Sequence, residues 1–278
     1  MLLSTQEQVL KRMIKSNSTE EFSVLHADGV NSQLVSHWLG LMDYRQATQL
    51  QNSLYENLRE SIDGAKTNQL GTVLGLEHPE VITLGKRGRR DEDVLPKMLL
   101  DTPVVEVDRG GQATIHSPGQ LIIYPVINLR LLRLGVRDYV ALLEDVTIQA
   151  LSQLGITADR GFQNGVFTSV GKIAFIGVRV QHGITTHGIS INFSNDLSIF
   201  EKIRACGVSS AQFDLISNYK AAQNLQISQF FRQWQSLFCA KLAMIAGISP
   251  CPSSQSLVSL ESSNMLSSSV GVVGSAPP

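Results

Sequence analysis

The sequence predicts an α+β domain in which a mixed sheet is flanked by helices. Short apolar runs bounded by turn residues lie between three longer stretches of helical period. These segments do not alternate regularly, as strands and helices would in a doubly wound fold. The chain has 278 residues, 43% of them hydrophobic and 17% charged, which supports a sizeable core and excludes a wholly disordered chain.

The helical stretches are recognised by apolar residues that recur every three or four positions. The first begins at Asp43, a plausible N-cap, and runs to about Ile62, with Gly64 as its predicted end. The other two cover residues 136–154 and 225–246. The predicted strands are, in order, residues 72–76, 81–84, 104–107, 120–127, 165–168, 172–180 and 187–193.

Changes in composition divide the chain into three parts. Residues 1–35 are polar and weakly periodic, which predicts a flexible extension, with a short helix as the alternative. Residues 36–248 carry the core pattern and form the predicted domain. Residues 249–278 are rich in serine and proline and lack aromatic residues, which predicts a disordered tail.

Charge and cysteine usage restrict the possible partners and the compartment. A net charge of −1 argues against nucleic acid as a partner, and no apolar stretch is long enough for a membrane span. Three cysteines do not make a disulfide framework, and the N-terminal residues do not resemble a secretory signal. We therefore expect a cytoplasmic protein; the alternative, an organelle transit peptide carrying Lys11, Arg12 and Lys15, is disfavoured by Glu7.

Several common enzyme motifs are absent from the sequence. Gly165 and Gly171 are wrongly spaced for a phosphate loop, and Ile173 stands where a hydroxyl would bind magnesium. His182 and His187 have no flanking carboxylate ligand, and the cysteines are not paired, so no metal site is predicted. No nucleophile elbow occurs.

Three segments break the core pattern. The loop at 108–120 has two adjacent glycines after a strand, and it either lines a ligand or simply connects strands. Lys172 opens an apolar strand, where it either reaches solvent or lowers the pKa of a neighbouring group. Cys206 is either a small buried residue or, with a cation beside it, a nucleophile.

Taken together and in order, these segments resemble the lipoate–protein ligase B family, octanoyltransferases that use an acyl-carrier-protein donor. The resemblance runs from about Leu39 to Ile216. The matching motifs lie at residues 76–85, 109–120, 165–167, 171–174, 187–188 with Asn192, 196–197 and 205–207.

The resemblance implies a fold shared with lipoate ligase A and biotin–protein ligase, and no cofactor. It implies transfer of an octanoyl group from octanoyl–acyl carrier protein to a lysine of lipoyl domains, including those of 2-oxoacid dehydrogenases and the glycine cleavage H protein. It implies that Cys206 carries the acyl group as a thioester and that Lys172 lowers the pKa of the cysteine. The implied substrate-binding residues are Arg109, Gly110, Gly111, Gln112, Ala113, Thr114, Ile115, His116, Phe175, Ile176, Gly177, Gly188, Ile189 and Ser190.

The chemistry of the transfer agrees with these residue types. A thiolate suits attack on a thioester, and a covalent intermediate divides the transfer into two steps. Lys172 or His116 could accept the proton that the acceptor amine must lose. Departures from the family pattern at Ile115, Ser117, Phe175 and Ser190 bear on acyl-chain length and rate rather than on the type of reaction.

A basic run formed by Lys86, Arg87, Arg89 and Arg90 is either a solvated loop or a contact for an acidic partner protein.

Two alternatives to octanoyl transfer remain open from the residues. One is an ATP-dependent lipoate or octanoate ligase, in which Cys206 would be dispensable. The other is a non-catalytic module that binds acyl carrier protein or lipoyl domains.

Overall fold

The computed structural model describes residues 19–25, 31–64, 69–95, 102–204 and 212–246. The predicted tail, most of the N-terminal extension and Cys206 lie outside these ranges. The strands are β1 (Thr19–Leu25), β2 (Asn31–Leu41), β3 (Gln69–Glu77), β4 (Val81–Leu84), β5 (Val104–Glu106), β6 (Ala113–His116), β7 (Gln120–Ile127), β8 (Asp159–Arg160), β9 (Gly165–Phe167), β10 (Lys172–Gln181) and β11 (Ile184–Asn192). The α-helices are α1 (Tyr44–Asp63), α2 (Arg90–Asp93), α3 (Val136–Gln153) and α4 (Ile227–Ile245).

The described strands form two sheets. The main sheet has eight strands in the order β1-β2-β3-β7-β11-β10-β9-β8, and the small sheet has three in the order β5-β4-β6. In the main sheet β2 and β3 are parallel, whereas β3 and β7, and β7 and β11, are antiparallel. The predicted mixed sheet is therefore confirmed.

Helices cover both faces of the main sheet. Side chains alternate along a strand, so Leu121 and Ile123 of β7 face the core under α3 and α4, whereas Ile122 and Tyr124 face α1. The α+β architecture expected from the sequence is thus observed. None of the helices in the described part of the chain is long and apolar enough to cross a membrane.

The first long helix begins as its sequence predicts. The carboxylate of Asp43 accepts hydrogen bonds from the backbone N–H groups of Arg45 and Gln46, at 2.9 and 3.2 Å, and so caps the helix. The helix ends before Gly64, whose φ of −80° shows that the end does not need a left-handed residue.

The sheet begins earlier in the chain than the sequence suggested. Strand β1 pairs along its whole length with β2, and the expected boundary at residue 36 falls inside β2. At least residues 19–25 therefore belong to the sheet rather than to a flexible extension. Strand β1 lies at the sheet edge, where a polar sequence is usual and gives little signal.

Strand β11 also begins earlier than predicted, at Ile184 rather than at residue 187. The strand pattern was obscured by Thr185 and Thr186, which are polar but buried. The hydroxyl of Thr185 donates to the carbonyl of Pro125 at 2.6 Å, so its burial leaves no unsatisfied polar atom.

Candidate active site

A cavity of about 630 Å³ opens beside the junction of the two sheets. Its walls come from β6, β7, β10 and β11, from the first residues of α1 and α3, and from the loops before β6 and β9. Its volume falls within the range of pockets that bind small organic ligands.

The cavity gathers almost all of the predicted site residues. The predicted residues that line it are Arg109, Gly110, Gly111, Gln112, Ala113, Thr114, His116, Lys172, Phe175, Ile176, Gly177, Gly188, Ile189 and Ser190. Cys206 lies outside the described residues. The loop at 108–120 is therefore a cavity wall and not merely a connection between strands.

The predicted set of substrate-binding residues needs one correction, because Ile115 does not line the cavity. It is fully buried in the core of the small sheet, together with Ile82 and Phe200. Side chains alternate along β6, so Thr114 and His116 face the cavity while Ile115 points into the core.

Lys172 is buried in the cavity wall with only 5% of its surface exposed. Its ammonium donates to the carbonyl of Asn164 at 2.9 Å. It lies 5.2 Å from the ring centre of Phe167 and 5.0 Å from that of Phe175, within the range of a cation–π interaction. Of the two interpretations of this lysine, the one in which it reaches solvent is wrong.

Gly165 is the residue that lets β9 approach this lysine. Its φ is +132°, a conformation that other residues rarely adopt. A Cβ atom there would lie 2.3 Å from the carbonyl oxygen of Ala174 and 2.7 Å from Cε of Lys172. Only glycine fits without displacing the lysine or the strand.

Arg109 places a second cation in the wall, 7% exposed. Its Nη2 donates to the carbonyl and hydroxyl oxygens of Thr83 at 2.9 and 2.8 Å, and Nη1 donates to the carbonyl of Gly110 at 2.9 Å. A Cβ at Gly177 would lie 2.9 Å from Cδ of Arg109, so glycine makes room for the side chain. Arg109 and Lys172 together give the cavity a positive potential that would attract an anionic group.

Two neighbouring buried histidines are neutral near pH 7, His116 in the cavity wall and His78, whose ring centre lies 5.8 Å from that of His116. Burial lowers the pKa of His116 to about 3 and that of His78 to about 4. Nδ1 of His116 lies 2.7 Å from Oε1 of Gln120, which can only accept, so Nδ1 carries the proton. With so low a pKa, His116 is a poor acceptor for a proton near neutral pH. Within the described ranges, no three His, Cys, Asp or Glu side chains are grouped to hold a metal ion.

A chain of buried hydrogen bonds connects His116 to the segment that begins at Gln212. Gln120 donates to Oδ1 of Asn192 at 2.9 Å, and Asn192 donates to the carbonyl of Asp214 at 3.1 Å. The backbone N–H of Lys172 in turn donates to the carbonyl of Gln212 at 2.9 Å. The cavity wall and this segment are therefore held in one network.

Asp214 anchors that segment through its carboxylate. The carboxylate accepts hydrogen bonds from the hydroxyls of Thr168 and Tyr219 and from the amide of Asn218. Burial raises the pKa of Asp214, but these hydrogen bonds outweigh burial and hold the pKa below its usual value.

Sequence reasoning missed several residues of the site. Nε2 of His187 lies 3.2 Å from Oδ1 of Asp108, while Oδ2 of Asp108 pairs with Arg179 at 2.8 Å. His187 has a φ of +57°, unusual for a residue with a side chain. The further lining residues are Tyr44, Arg87, Ile122, Tyr124, Val136, Val140, Phe162, Gln163, Asn164 and Val178. The sequence signals for these residues were the His-Gly motif at 187–188 and the basic run that contains Arg87.

Fold and site together define a class of protein, an α+β domain with a lysine buried in the wall of a cavity of about 630 Å³. The family model of the lipoyl protein ligase A/B catalytic domain matches residues 43–238. The chain belongs to this family, which confirms the resemblance seen in the sequence.

Similar proteins agree with that assignment. An octanoyltransferase of Syntrophobacter fumaroxidans is 39% identical over 185 residues, which cover 64% of this chain and 78% of the relative. One of Marinobacter nauticus is 34% identical over 195 residues, which cover 70% and 87%. The prediction of an acyltransferase enzyme is thereby confirmed.

Solved structures give the fold. A lipoate-protein ligase A bound with ATP has a TM-score of 0.56 at 13% identity, covering 73% of this chain and 83% of that one. A lipoate protein ligase of Thermoplasma acidophilum, described with its E2 lipoyl domain, has a TM-score of 0.54 at 15% identity, covering 74% and 82%. The expected lipoate ligase A fold is confirmed.

Proposed function

We propose that this chain transfers an octanoyl group from octanoyl–acyl carrier protein to a lysine of lipoyl domains, through a thioester on Cys206. This would be the first step of protein lipoylation from endogenous fatty acid synthesis. The observation that carries the proposal is the buried ammonium of Lys172 in the wall of a cavity of about 630 Å³.

The walls of the cavity suit an eight-carbon chain with a polar head. Apolar surface comes from Ile122, Phe175, Ile176 and Ile189, and burial of each methylene against it contributes about 0.8 kcal/mol. The backbone of 109–112 and the buried lysine offer the polar groups that would orient the thioester end.

The position of Lys172 supports a role for Cys206. Gln212, six residues after Cys206, accepts a hydrogen bond from the backbone of Lys172. Six residues span at most ~20 Å, so the chain can bring the cysteine to the cavity. A cation beside a thiol lowers its pKa from about 8.5 and increases the thiolate fraction at neutral pH.

The transfer proceeds in two balanced steps. The Cys206 thiolate attacks the donor carbonyl, the C–S bond to phosphopantetheine breaks as the bond to Cys206 forms, and the leaving thiolate takes a proton from the Lys172 ammonium. The neutral amine of the acceptor lysine then attacks the new thioester, the C–S bond to Cys206 breaks and regenerates the thiolate, and the nitrogen gives its proton to the neutral Lys172 amine left by the first step. Neither step consumes ATP.

The acceptors we propose are the lipoyl domains of 2-oxoacid dehydrogenases and the glycine cleavage H protein. The family assignment supports these acceptors, because the matching family model is described as a lipoyl protein ligase catalytic domain. The few cysteines of the chain agree with a reducing compartment, and we propose the cytoplasm.

A single-turnover reaction tests the proposal. The full chain, octanoyl–acyl carrier protein and a lipoyl domain are mixed without ATP, and the lipoyl domain is followed by intact mass. We expect one octanoyl group on the lipoyl domain, none when its acceptor lysine is replaced by arginine, and none with Cys206→Ser. Cys239→Ala serves as the matched cysteine control and should retain transfer.

Other outcomes would identify the rival functions. Transfer only from free octanoate with ATP would identify a ligase and contradict the proposal. Binding of acyl carrier protein or the lipoyl domain without any transfer would identify a binding module.

A further inference from the structure

Arg87 carries an exposed guanidinium at the rim of the cavity, on the turn between β4 and α2. Two backbone hydrogen bonds fix this turn against the cavity wall. The N–H of Arg87 donates to the carbonyl of Gly111 at 3.1 Å, and the N–H of Lys86 donates to the carbonyl of Arg109 at 3.0 Å. The position of Arg87 relative to the cavity is therefore set by the fold.

The basic residues of this turn are not equivalent. Arg89 forms an ion pair with Glu92 at 2.6 Å. Lys86 and Arg90 are exposed but do not line the cavity. Arg87 lines the cavity, and among the described residues it has no carboxylate within ion-pair distance. It is thus the member of the basic run that can meet a ligand passing through the cavity mouth.

We infer that Arg87 binds the phosphate of the donor's phosphopantetheine arm. This inference rests on the proposed function, because it assumes that the donor thioester enters the cavity. The acyl end must reach the lysine in the wall, so the arm that joins it to the carrier protein must leave through the rim. The phosphate is the charged group of that arm, and a charged group is more stable at the hydrated rim than in the interior.

Guanidinium is chemically suited to this position. Its planar arrangement of N–H donors matches phosphate oxygens, and the hydrogen bonds it makes with them are charge-assisted. Arg109, deeper in the wall, already donates to Thr83 and Gly110. The guanidinium of Arg87 is exposed and forms no ion pair with any of the described residues. It can therefore turn toward an incoming anion without first losing a partner.

The test compares three donors in native chain and Arg87→Ala. Octanoyl–acyl carrier protein has both protein surface and phosphate, S-octanoyl-4′-phosphopantetheine has the phosphate alone, and S-octanoylpantetheine has neither. We expect Arg87→Ala to lower kcat/KM about tenfold for both phosphorylated donors and to leave the dephosphorylated donor within twofold. Arg87→Lys should retain part of the preference. Arg90→Ala removes the same charge outside the cavity and should match the native chain.

The ratio of kcat/KM between phosphorylated and dephosphorylated donors decides the inference. A ratio that is the same in native chain and Arg87→Ala would overturn it. A loss confined to acyl carrier protein would overturn it in favour of contact with the protein surface, and an equal loss for all three donors would mean a general role in the cavity. Failure of the native chain to transfer from any donor would instead contradict the proposed function.

Discussion

The backbone N–H of Asp214 donates to the carbonyl of Lys172 at 3.1 Å, so the strand end that carries the cavity lysine is paired with the segment following residue 211. The carboxylate of Asp214 holds that segment through hydrogen bonds from Thr168, Asn218 and Tyr219. Lys172 and Asp214, far apart in sequence, are thereby joined in one wall of the site.

Asp214→Asn should destabilise the protein by about 2 kcal/mol, because hydrogen bonds to a charged acceptor are replaced by poorer ones. The lowered pKa of Asp214 means that its contribution is present above the usual carboxyl value of 3.8 and is lost as the pH falls below it. The difference in unfolding free energy between native chain and variant should therefore shrink in acid. Urea unfolding at several pH values measures it. Asp196→Asn, at an exposed carboxylate, should change stability by much less, and equal losses for the two variants would contradict this role.

Gly165→Ala should destabilise the protein and slow acylation of Cys206, because the new Cβ would collide with Ala174 and with Lys172. Gly155→Ala is the matched control. Gly155 also has a positive φ, +70°, but nothing lies within 4 Å of its Cβ position. The control should be destabilised only by backbone strain, which costs about 1–2 kcal/mol. Thermal melts and acylation rates check both variants, and equal losses would disprove the steric argument.

The burial of His116 predicts a dependence of stability on pH. Its folded pKa of about 3 lies below the usual 6.5, so the unfolded chain binds a proton that the folded chain does not between these values. The contribution of His116 is complete above about pH 6.5 and falls by about 1.4 kcal/mol per pH unit as the pH is lowered toward 3, and His78, with its pKa of about 4, adds a fall of the same sign. His116→Gln should lose less stability than the native chain between pH 7 and pH 5. The same substitution at exposed His182 is the control; a native slope retained by His116→Gln would show that His116 is not the cause.

On the proposed function, Lys172→Ala should slow alkylation of Cys206 at pH 7, because the variant removes the cation proposed to lower the pKa of the thiol. Each unit of increase reduces the thiolate fraction about tenfold. Peptide mass spectrometry after iodoacetamide treatment follows Cys206 separately from the other two cysteines. Above pH 9.5 the native chain and the variant should react at similar rates, and Lys172→Arg should lie between them. Identical pH profiles for native chain and Lys172→Ala would dismiss the role.

The fold was largely predictable because its signals are local. Helices α1, α3 and α4 each carry an apolar stripe, and the capping carboxylate of Asp43 precedes the first of them. Strand β1 was not predicted, because its seven residues lie within residues 1–35, whose polar composition gives no clear strand pattern. The predicted strand β11 began three residues too late. Thr185 is polar, and a polar residue in a sequence suggests a turn, although this threonine is buried in the folded chain.

The site was predictable where it coincides with motifs and not where it depends on packing. The loop at 108–120 and Lys172 were identified, but Ile115 was included wrongly because a motif does not record which way each side chain of a strand points. Tyr44 and Phe162 reach the cavity from segments distant in sequence, so no local pattern reveals them. Burial of Lys172 likewise depends on Phe167 and Phe175, whose rings meet it only in the folded chain.

The central claim is that Cys206 carries an octanoyl group between two proteins. Incubation of the full chain with octanoyl–acyl carrier protein alone, followed by acid quenching and peptide mass spectrometry, tests it most directly. We expect one octanoyl group on the peptide that contains Cys206, removed by hydroxylamine and absent when Lys172 is replaced by alanine under the same brief incubation. A chain that transfers octanoate to a lipoyl domain without ever showing this adduct, or that carries it on Cys239 or Cys251 instead, would contradict the account.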